Sequence, residues 1–451
     1  MKKWLAVLCA LFLMAGCSAP SGDSSQGSSL PENSSSVPMD QSDHQAVAAA
    51  LFTDLTEGQY DALEKYTFDE AMSEIVRKNG LKPSLDASFA QLGKVVELHD
   101  CVSTQAEGYD VISVPAVFEN GRISLNVVFD GQDRIAGIHF ADYPQDETAA
   151  VSLPEGAQEL DYSFTARDGK TLSGSLVLPS ANTYSALVIL VHGSGPNDRN
   201  ETLYNNTPFR DLAYLLAQQG VASYRYDKRT FLYGSECAAD TGFTVKEETV
   251  YDAADALSAF RQQTEYPFDR MLILGHSLGG FLIPQIDGEA QADGYIMLAA
   301  PSGNFADLMK QQYEYLRTFA DKNQKAAYDA QLQQLEQLRN PDALDATKPI
   351  MGAYPAYWKD LLSYDPLQAA EGLPAPVLVL QGEEDYQVPM SEYEQWKTAF
   401  EDYASWQFHS YPGLSHLMMP GDLTQNPSSY YTKQQSFDSS VAADIAAFAK
   451  Q

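Results

Sequence analysis

The sequence predicts a doubly wound α/β protein, in which a mostly parallel sheet carries helices on both faces, preceded by a small α+β domain. Three observations predict this fold class. From about residue 155, strand-like apolar runs alternate with helical patterns to the end of the chain. Over 43–145, helical stretches come first and strand-like runs follow. At 272–280, the stretch LILGHSLGG places a serine between glycines directly after a buried-looking strand.

The first residues have the pattern of an export signal. Lys2 and Lys3 precede an apolar run from Trp4 to Leu13 that is too short to span a membrane as a mature helix. The run ends in LMAGC, and small residues directly before Cys17 resemble a bacterial lipoprotein signal. We therefore expect 1–17 to act as a lipoprotein signal peptide, with lipid attached to Cys17 and the protein anchored on the extracytoplasmic side. A plain secretory signal is the alternative.

A polar segment follows this signal. Residues 18–42 are dominated by Ser, Pro and Gly, and such a segment buries too little apolar surface to offset the entropy of ordering it. It is predicted to be a disordered tether between the lipid and the folded part of the chain.

Composition excludes several classes of partner. The 451 residues contain 29 Lys plus Arg against 61 Asp plus Glu, a formal net charge of −32. A surface this acidic repels phosphate backbones and anionic lipid headgroups, so we expect no nucleic acid and membrane contact only through a lipid anchor. Cysteine and histidine spacing offers no metal site, and no cofactor is expected. Whether Cys101 and Cys237 pair is open at this stage.

The predicted α+β domain spans 43–145. Helical periodicity runs through HQAVAAALFTDLTEGQYDALEKYT, with a break at Gly58, and through DEAMSEIVRKNG. From Lys94 the period changes to two, which predicts four strands: KVVELHDCVS, YDVISVPAVF, RISLNVVF and RIAGIHFADY. This domain shows no set of residues typical of a catalytic site, and we expect it to act as a binding domain or as a spacer.

The larger domain spans 155–451. Two strands are predicted within LDYSFTARDGKTLSGSLVLPS, with a turn at Asp168-Gly169. Further strands, separated by helical patterns, are ALVILV, VASYRYD, RMLILGHS, YIMLAA, APVLVLQG and SWQFHSY, and the amphipathic stretch SSVAADIAAFAK closes the order. This alternation is typical of a mostly parallel sheet.

One helical segment, residues 304–340, interrupts the alternation. Its apolar positions fall on one side of the predicted helices: Phe305, Leu308, Leu316, Phe319, Leu332, Leu335 and Leu338. We interpret the region of about 303–370 as a helical cap over the site. A solvated helical excursion is the alternative.

The serine motif places the chain among known folds. Gly275-His276-Ser277-Leu278-Gly279 fits G-x-S-x-G, and its strand–turn–helix context is that of a nucleophile elbow. The chain from about 158 to 451 therefore resembles the α/β-hydrolase fold. Within that fold, VHGSGPNDRN at 191–200 and RYDKR at 225–229 resemble a branch of bacterial esterases and related acyl hydrolases.

The resemblance extends beyond the motif and has departures. The helices and strands of 43–145 resemble the small cone-shaped domain that often precedes exported bacterial α/β-hydrolases. Thr230 stands where that branch commonly has glycine, and Asn200 stands where an aspartate is frequent. Both departures concern loops near the expected pocket.

The fold implies that an acid and then a histidine follow the nucleophile along the chain. The stretch GEEDYQVP at 382–389 follows a late strand, and its spacing selects Asp385, with Glu384 as the alternative. His416 lies in SYPGLSHLM, after the last predicted strand, whereas His409 lies within that strand and is expected to be packed.

Acyl transfer also needs donors for the oxyanion. The fold implies the backbone N–H of Leu278, directly after Ser277, and a second N–H from HGSG, which we assign to Ser194. His276 is expected to point away from the cleft, because neighbouring side chains diverge at a tight turn. His192 is expected to brace the glycine-rich loop.

These residues together predict a serine hydrolase that cleaves carboxylic esters of small molecules through an acyl-enzyme, with the triad Ser277, Asp385 and His416. A peptidase or amidase of the same fold is one alternative. A non-catalytic binding protein on the hydrolase fold is another. The acyl and alcohol groups and the oligomeric state are left open by the sequence.

Overall fold

The computed structural model describes most of the chain after residue 42. The described residues are 43–451 apart from 79–80, 83–84, 86–88, 90–91, 107–108, 119–120, 142–150 and 181–185. The predicted signal, Cys17 and the predicted tether lie outside them. The described residues form two compact units, one ending at Ala141 and the other beginning at Val151. Within these residues, no helix is both long and apolar enough for a bilayer span.

The first unit combines helices with an antiparallel sheet. Its elements are α1 His44–Thr56, a 3₁₀ turn Tyr60–Lys65, α2 Glu70–Arg77, β1 Val95–Leu98, β2 Val102–Ala106, β3 Tyr109–Phe118, β4 Gly121–Phe129 and β5 Ile135–Ala141. The strands pair in the order β1-β3-β4-β5, and β2 pairs with β3 as well. Side chains of α1 and of the central strands share one apolar core, which includes Val47, Leu51, Val114, Leu125 and Phe129.

The prediction of one strand over 94–103 was wrong, because the chain forms two strands there. Leu98 of β1 pairs with Ala116, and Val102 of β2 pairs with Ser113. The three residues 99–101 therefore lie opposite only two residues of β3, Val114 and Pro115. Proline has no N–H to donate to a neighbouring strand, so the ladder is interrupted at that point.

The second unit contains an eight-stranded sheet in the order β15-β14-β13-β12-β10-β11-β9-β6. The strands are β6 Gln158–Asp161, β7 Phe164–Thr165, β8 Thr171–Leu172, β9 Gly174–Leu178, β10 Ala186–Val191, β11 Ala222–Tyr226, β12 Arg270–His276, β13 Tyr295–Leu298, β14 Val377–Gly382 and β15 Trp406–Tyr411. Strands β10 to β15 are parallel, β9 and β6 are antiparallel, and β7 pairs with β8 in a separate hairpin. All residues of β10 are buried, as expected for a parallel strand covered on both faces.

The helices of this unit are α3 Pro208–Gln218, α4 Arg229–Leu232, α5 Gly234–Ala239, α6 Tyr251–Gln262, α7 Leu278–Phe281, α8 Ile283–Glu289, α9 Phe305–Phe319, α10 Lys322–Gln337, α11 Pro355–Leu362, α12 Pro366–Ala370, α13 Met390–Phe400, α14 Ser428–Tyr431 and α15 Ser439–Ala449. Proline at its first position favours the start of α3, and the Asp438 side chain caps α15. Helix α6 shares a core with Leu187, Ile189 and Val191 of β10, and α3 packs against α15. The predicted fold class is confirmed.

Residues 303–370 lie between β13 and β14 and contain α9 to α12 and a 3₁₀ turn, Pro341–Ala343. Five of the apolar positions expected on the packed side are buried: Phe305, Leu308, Leu316, Leu335 and Leu338. Phe319 and Leu332 are half-buried. Helix α9 contacts the loop after β14, since Gln312 Nε2 donates to Gln387 O at 2.7 Å and the ring of Tyr315 stacks on Tyr386. Helix α9 is thus packed on that loop.

Candidate active site

Ser277 lies in the sharp turn between β12 and α7. Its backbone has φ 52° and ψ −117°, a strained combination for a residue with a side chain. A Cβ added to Gly275 would lie 2.4 Å from the backbone of Gly279, so only glycine fits this turn. The tight turn places Ser277 in the wall of a pocket at the carboxyl ends of the parallel strands.

Asp385 and His416 form a buried pair. His416 Nδ1 lies 2.7 Å from Asp385 Oδ2, which also accepts a hydrogen bond from Gln381 Nε2 at 3.0 Å. Asp385 Oδ1 accepts the backbone N–H groups of Gln387 at 2.7 Å and Val388 at 2.9 Å. The carboxylate is therefore held at both oxygens. It fixes the imidazole so that Nε2 is the ring nitrogen left for chemistry.

The same pocket is lined by Ser277, His416 and Ser194. Among the described residues, the Ser277 hydroxyl has no side-chain hydrogen bond, to His416 or to another group. Catalytic hydrogen bonds are often long before substrate binds. The structure thus brings the predicted nucleophile, histidine and oxyanion loop to one cavity.

The alternative acid and the alternative histidine lie elsewhere. Glu384 is half-exposed, and its Oε2 accepts the backbone N–H of Leu423 at 2.8 Å. His409 is exposed and pairs with Asp444 at 3.0 Å. The expectation that His409 is packed was wrong, because β15 is an edge strand and this side chain lies on its exposed face.

The two predicted oxyanion donors belong to the glycine-rich loop and to the residue that follows Ser277. Leu278 is the first residue of α7, so its N–H has no acceptor within the helix. Neither the Ser194 N–H nor the Leu278 N–H has an assigned acceptor in the described part of the chain. A Cβ on Gly193 would lie 3.1 Å from the Ser277 Cβ, so the glycine lets the loop approach Ser277 closely.

Sequence reasoning missed the groups that hold this loop. The peptide groups of Gly193 are held on two sides, since its N–H donates to Glu201 Oε1 at 2.8 Å and its carbonyl accepts from Lys228 Nζ at 2.7 Å. Both side chains are buried. Lys228 belongs to the RYDKR stretch, but the sequence pattern gives this lysine no role. Glu201 follows VHGSGPNDRN directly and has φ 53°, but nothing in the local pattern marks it.

The expectation that His276 points away from the cleft was wrong. His276 lines the pocket, its Nδ1 is 2.9 Å from Glu201 Oε2, and its Nε2 is 3.0 Å from the carbonyl oxygen of His416. This pairing turns the ring toward the loop of Glu201, and local turn geometry could not predict it.

Electrostatics favour charge on both members of this pair. Burial alone would lower the pKa of His276, but the Glu201 carboxylate outweighs burial and the pKa is raised. Burial alone would raise the pKa of Glu201, and His276 outweighs it so that this pKa is lowered. This ring of raised pKa lies next to the ring of His416, with ring centroids 4.5 Å apart.

His192 has a different character, although it is also buried. Its ring packs against Phe209 and Tyr226, with centroid distances of 5.0 and 5.5 Å. Burial lowers the pKa of His192 to about 4, so the ring is neutral near pH 7. Its packed position at the start of the glycine-rich loop agrees with a bracing role.

The two departures from the resembled branch also contact this loop region. Thr230 Oγ1 donates to Gly195 O at 3.4 Å, and Asn200 Oδ1 accepts from Arg225 Nε at 3.1 Å. Both residues therefore contribute hydrogen bonds to the loop geometry that the sequence left open.

The rest of the pocket mixes apolar and polar side chains. It encloses about 560 Å³, counting the part open to solvent. Its further lining residues are Asn197, Thr202, Leu203, Tyr386, Gln387, Leu417 and Tyr431. Among the described residues, no group of three His, Cys, Asp or Glu side chains could hold a metal ion, and Cys101 and Cys237 are free.

Comparisons with known proteins bear on both units of the chain. The sequence model of the alpha/beta hydrolase family matches residues 188–423, and residues 48–138 match a family described as a protein of unknown function, DUF3887. Esterase EstD of Thermotoga maritima is 31% identical over 331 residues, which cover 73% of this chain and 77% of that protein.

Among solved structures, the esterase domain of a Rhodothermus marinus protein is 17% identical, with a TM-score of 0.40, over 65% of this chain and 98% of that one. Est1E from Butyrivibrio proteoclasticus is 13% identical, with a TM-score of 0.40, over 64% of this chain and 96% of that one.

The family match covers more than half of the chain and includes the segments that carry Ser277, Asp385 and His416. The identity to the Thermotoga protein extends over most of both chains. The chain is therefore a hydrolase that belongs to the α/β-hydrolase family.

Proposed function

We propose that the protein hydrolyses carboxylic esters of small molecules through an acyl-enzyme, with Ser277 as nucleophile, His416 as base and Asp385 as the orienting acid. The observation that carries this proposal is the 2.7 Å contact between Asp385 and His416 at the pocket that receives Ser277 from its strained turn. The relative from Thermotoga maritima is named an esterase, and this supports an ester as the bond that is cleaved.

Acylation requires a proton acceptor, because a serine hydroxyl is a weak nucleophile at neutral pH. His416 Nε2 takes the proton from Ser277 Oγ as the bond from Oγ to the ester carbon forms. The carbonyl electron pair moves to its oxygen, which the N–H groups of Ser194 and Leu278 stabilise. Collapse of this intermediate breaks the bond to the alcohol oxygen, and His416 returns its proton to the leaving alcohol.

Deacylation repeats these steps with water. His416 accepts a proton from water as the water oxygen bonds to the acyl carbon. The bond to Ser277 Oγ then breaks, His416 returns its proton to that oxygen, and a carboxylic acid leaves. In both halves Asp385 stabilises the imidazolium that forms and holds the ring orientation.

The test combines active-site labelling with substrate turnover. A fluorophosphonate probe should label the wild-type protein, and p-nitrophenyl esters of rising chain length should be hydrolysed. Ser277→Ala should abolish labelling and lower kcat by about 10⁴-fold or more. Ser258→Ala is the matched control, because this serine lies in α6 and bonds only to Ala254 O among described residues.

Other outcomes select the alternatives. Labelling that persists in Ser277→Ala would remove Ser277 as the nucleophile. Turnover of aminoacyl anilides without turnover of esters would favour a peptidase or amidase. A folded wild-type protein that is neither labelled nor active on either substrate class would favour a binding protein.

The cellular address is a second, separate proposal. We propose that the protein is exported and held at the membrane by lipid on Cys17, with 18–42 as its tether. The support is the charged and apolar pattern before Cys17 and the composition of the segment after it.

A further inference from the structure

A buried lysine holds the backbone of the glycine-rich loop. Lys228 is 1% exposed, and its Nζ donates to the carbonyl oxygen of Gly193 at 2.7 Å. Its second partner is Glu248 Oε1, also at 2.7 Å and also buried. A buried ion pair is often no more stabilising than apolar side chains of similar volume, so stability alone does not explain this cation.

The position of the held carbonyl matters because of peptide geometry. The C=O of Gly193 and the N–H of Ser194 belong to one planar trans peptide group, and they point in opposite directions. An ammonium group that holds the oxygen therefore also sets the direction of the Ser194 N–H. The same positive charge polarises the peptide group and makes this N–H a stronger donor.

The lysine is held in turn from the segment between β13 and β14. The second carboxylate oxygen of Glu248 accepts the hydroxyl of Tyr357 at 2.6 Å, and Tyr357 lies in α11. A continuous series of polar contacts thus runs from Tyr357 through Glu248 and Lys228 to the peptide of Gly193 and Ser194.

We propose that Lys228 is a positioning residue that sets and polarises the Ser194 N–H for the oxyanion, and that Glu248 and Tyr357 hold Lys228 in place. This inference rests on the proposed function, because it needs the Ser194 N–H to be an oxyanion donor. Lys228 itself touches neither substrate nor the reacting atoms.

The main test is the double variant Lys228→Met/Glu248→Gln, which removes the cation without leaving a buried carboxylate unpaired. A donor that acts in the transition state affects kcat more than KM. Per titrated active site, kcat on p-nitrophenyl esters should fall by about 10- to 100-fold with KM little changed, since loss of a whole donor costs about 100- to 1,000-fold. Affinity for an alkyl trifluoromethyl ketone, whose serine adduct carries an oxyanion, should fall by the same factor.

With a second variant and a control, the test does not depend on the double variant alone. Tyr357→Phe should lower kcat in the same direction by about 2- to 10-fold, because it removes one hydrogen bond from Glu248. Lys246→Met is the matched control, because Lys246 is exposed and its Nζ lies 3.9 Å from Asp360, a residue of α11 like Tyr357. Its kcat and inhibitor affinity should stay at the wild-type values.

The outcomes separate this proposal from the function it rests on. A double variant with wild-type kcat and inhibitor affinity overturns the role of Lys228, and so does a loss of titratable sites with unchanged kcat per site. If the double variant does not fold, wild-type kinetics in Tyr357→Phe would overturn the proposed series of contacts from Tyr357 through Glu248 and Lys228 to the oxyanion donor. A wild-type protein without Ser277-dependent ester hydrolysis would instead refute the proposed function, and this inference with it.

Discussion

Three pairs of ionisable side chains near the pocket are buried together. Glu201 faces His276, Lys228 faces Glu248, and Asp385 faces His416. Asp211 in α3 is 2% exposed, and the contacts of its carboxylate are long: 3.4 Å to Phe437 N, 3.5 Å to Thr207 Oγ1 and 3.8 Å to Arg210. Burial raises the pKa of Asp211 to about 6.

A raised carboxyl pKa makes stability depend on pH in a defined direction. The contribution of Asp211 is fully present below about pH 4, the unfolded value, and is lost as the pH rises through about 6. Asp211→Asn should therefore raise the free energy of unfolding at pH 8 by up to about 3 kcal/mol, and should have little effect near pH 4. Denaturant titrations followed by tryptophan fluorescence measure this in the second unit, which contains Trp358, Trp396 and Trp406.

The control for that measurement is Asp402→Asn, because Asp402 is exposed. An equal gain in both variants, or no gain in Asp211→Asn at pH 8, would contradict the assignment of the pH dependence to Asp211.

At the scale of elements, the strand–turn–helix unit of β12, Ser277 and α7 depends on close backbone contacts. A Cβ on Gly279 would lie 2.6 Å from Val191 O and 2.7 Å from His192 O, at the end of β10. Local propensity alone would favour alanine over glycine in a helix by about 1 kcal/mol. The tertiary contact opposes this preference, because backbone atoms of a buried strand have no room to move.

Gly279→Ala should consequently destabilise the protein by about 1–3 kcal/mol, the usual cost of overpacking, and should lower kcat by displacing Ser277. Gly288→Ala in α8 is the matched control, since no atom lies within 4 Å of its added Cβ. It should be neutral or stabilising by up to about 1 kcal/mol. Tryptophan-detected unfolding and ester hydrolysis measure both, and equal effects of the two alanines would refute the steric argument.

At the scale of the whole molecule, the two units have separate apolar cores. In the first unit, the core residues and those packed against them lie between Val47 and Phe140. In the second unit, the residues of the main core and those packed against it lie from Leu160 onward. The proposed site uses only residues of the second unit. The net charge of −32 agrees with the proposal that membrane contact is confined to a lipid anchor.

Mass spectrometry of the mature protein from a bacterial host tests that anchor. We expect an N-terminal Cys17 that carries a diacylglyceryl group, and a protein that fractionates with membranes. Cys17→Ser should remove the lipid and should abolish membrane association, because the proposed anchor is the lipid on this cysteine. An unmodified N-terminus at another position would contradict the lipoprotein assignment.

Much of the fold could be predicted because strand and helix patterns are local. The parallel strands and the turn at Ser277 follow from runs of apolar residues and from glycine spacing. The break between β1 and β2 could not be predicted, because it depends on Pro115 of a partner strand. The exposure of His409 could not be predicted for a similar reason, because the order of strands in the sheet decides which strand lies at its edge.

By itself the sequence predicted the alternation of strands and helices after residue 155, the strand–turn–helix unit at Ser277, and the assignment of Asp385 and His416 from their position after late strands. Only the tertiary structure decided that Glu201 pairs with His276 and that Lys228 links Gly193 to Glu248 and so to Tyr357. The physical reason is that periodicity reflects contacts within one element. Partners that are tens or hundreds of residues apart meet only when the parallel sheet brings their loops to the same edge.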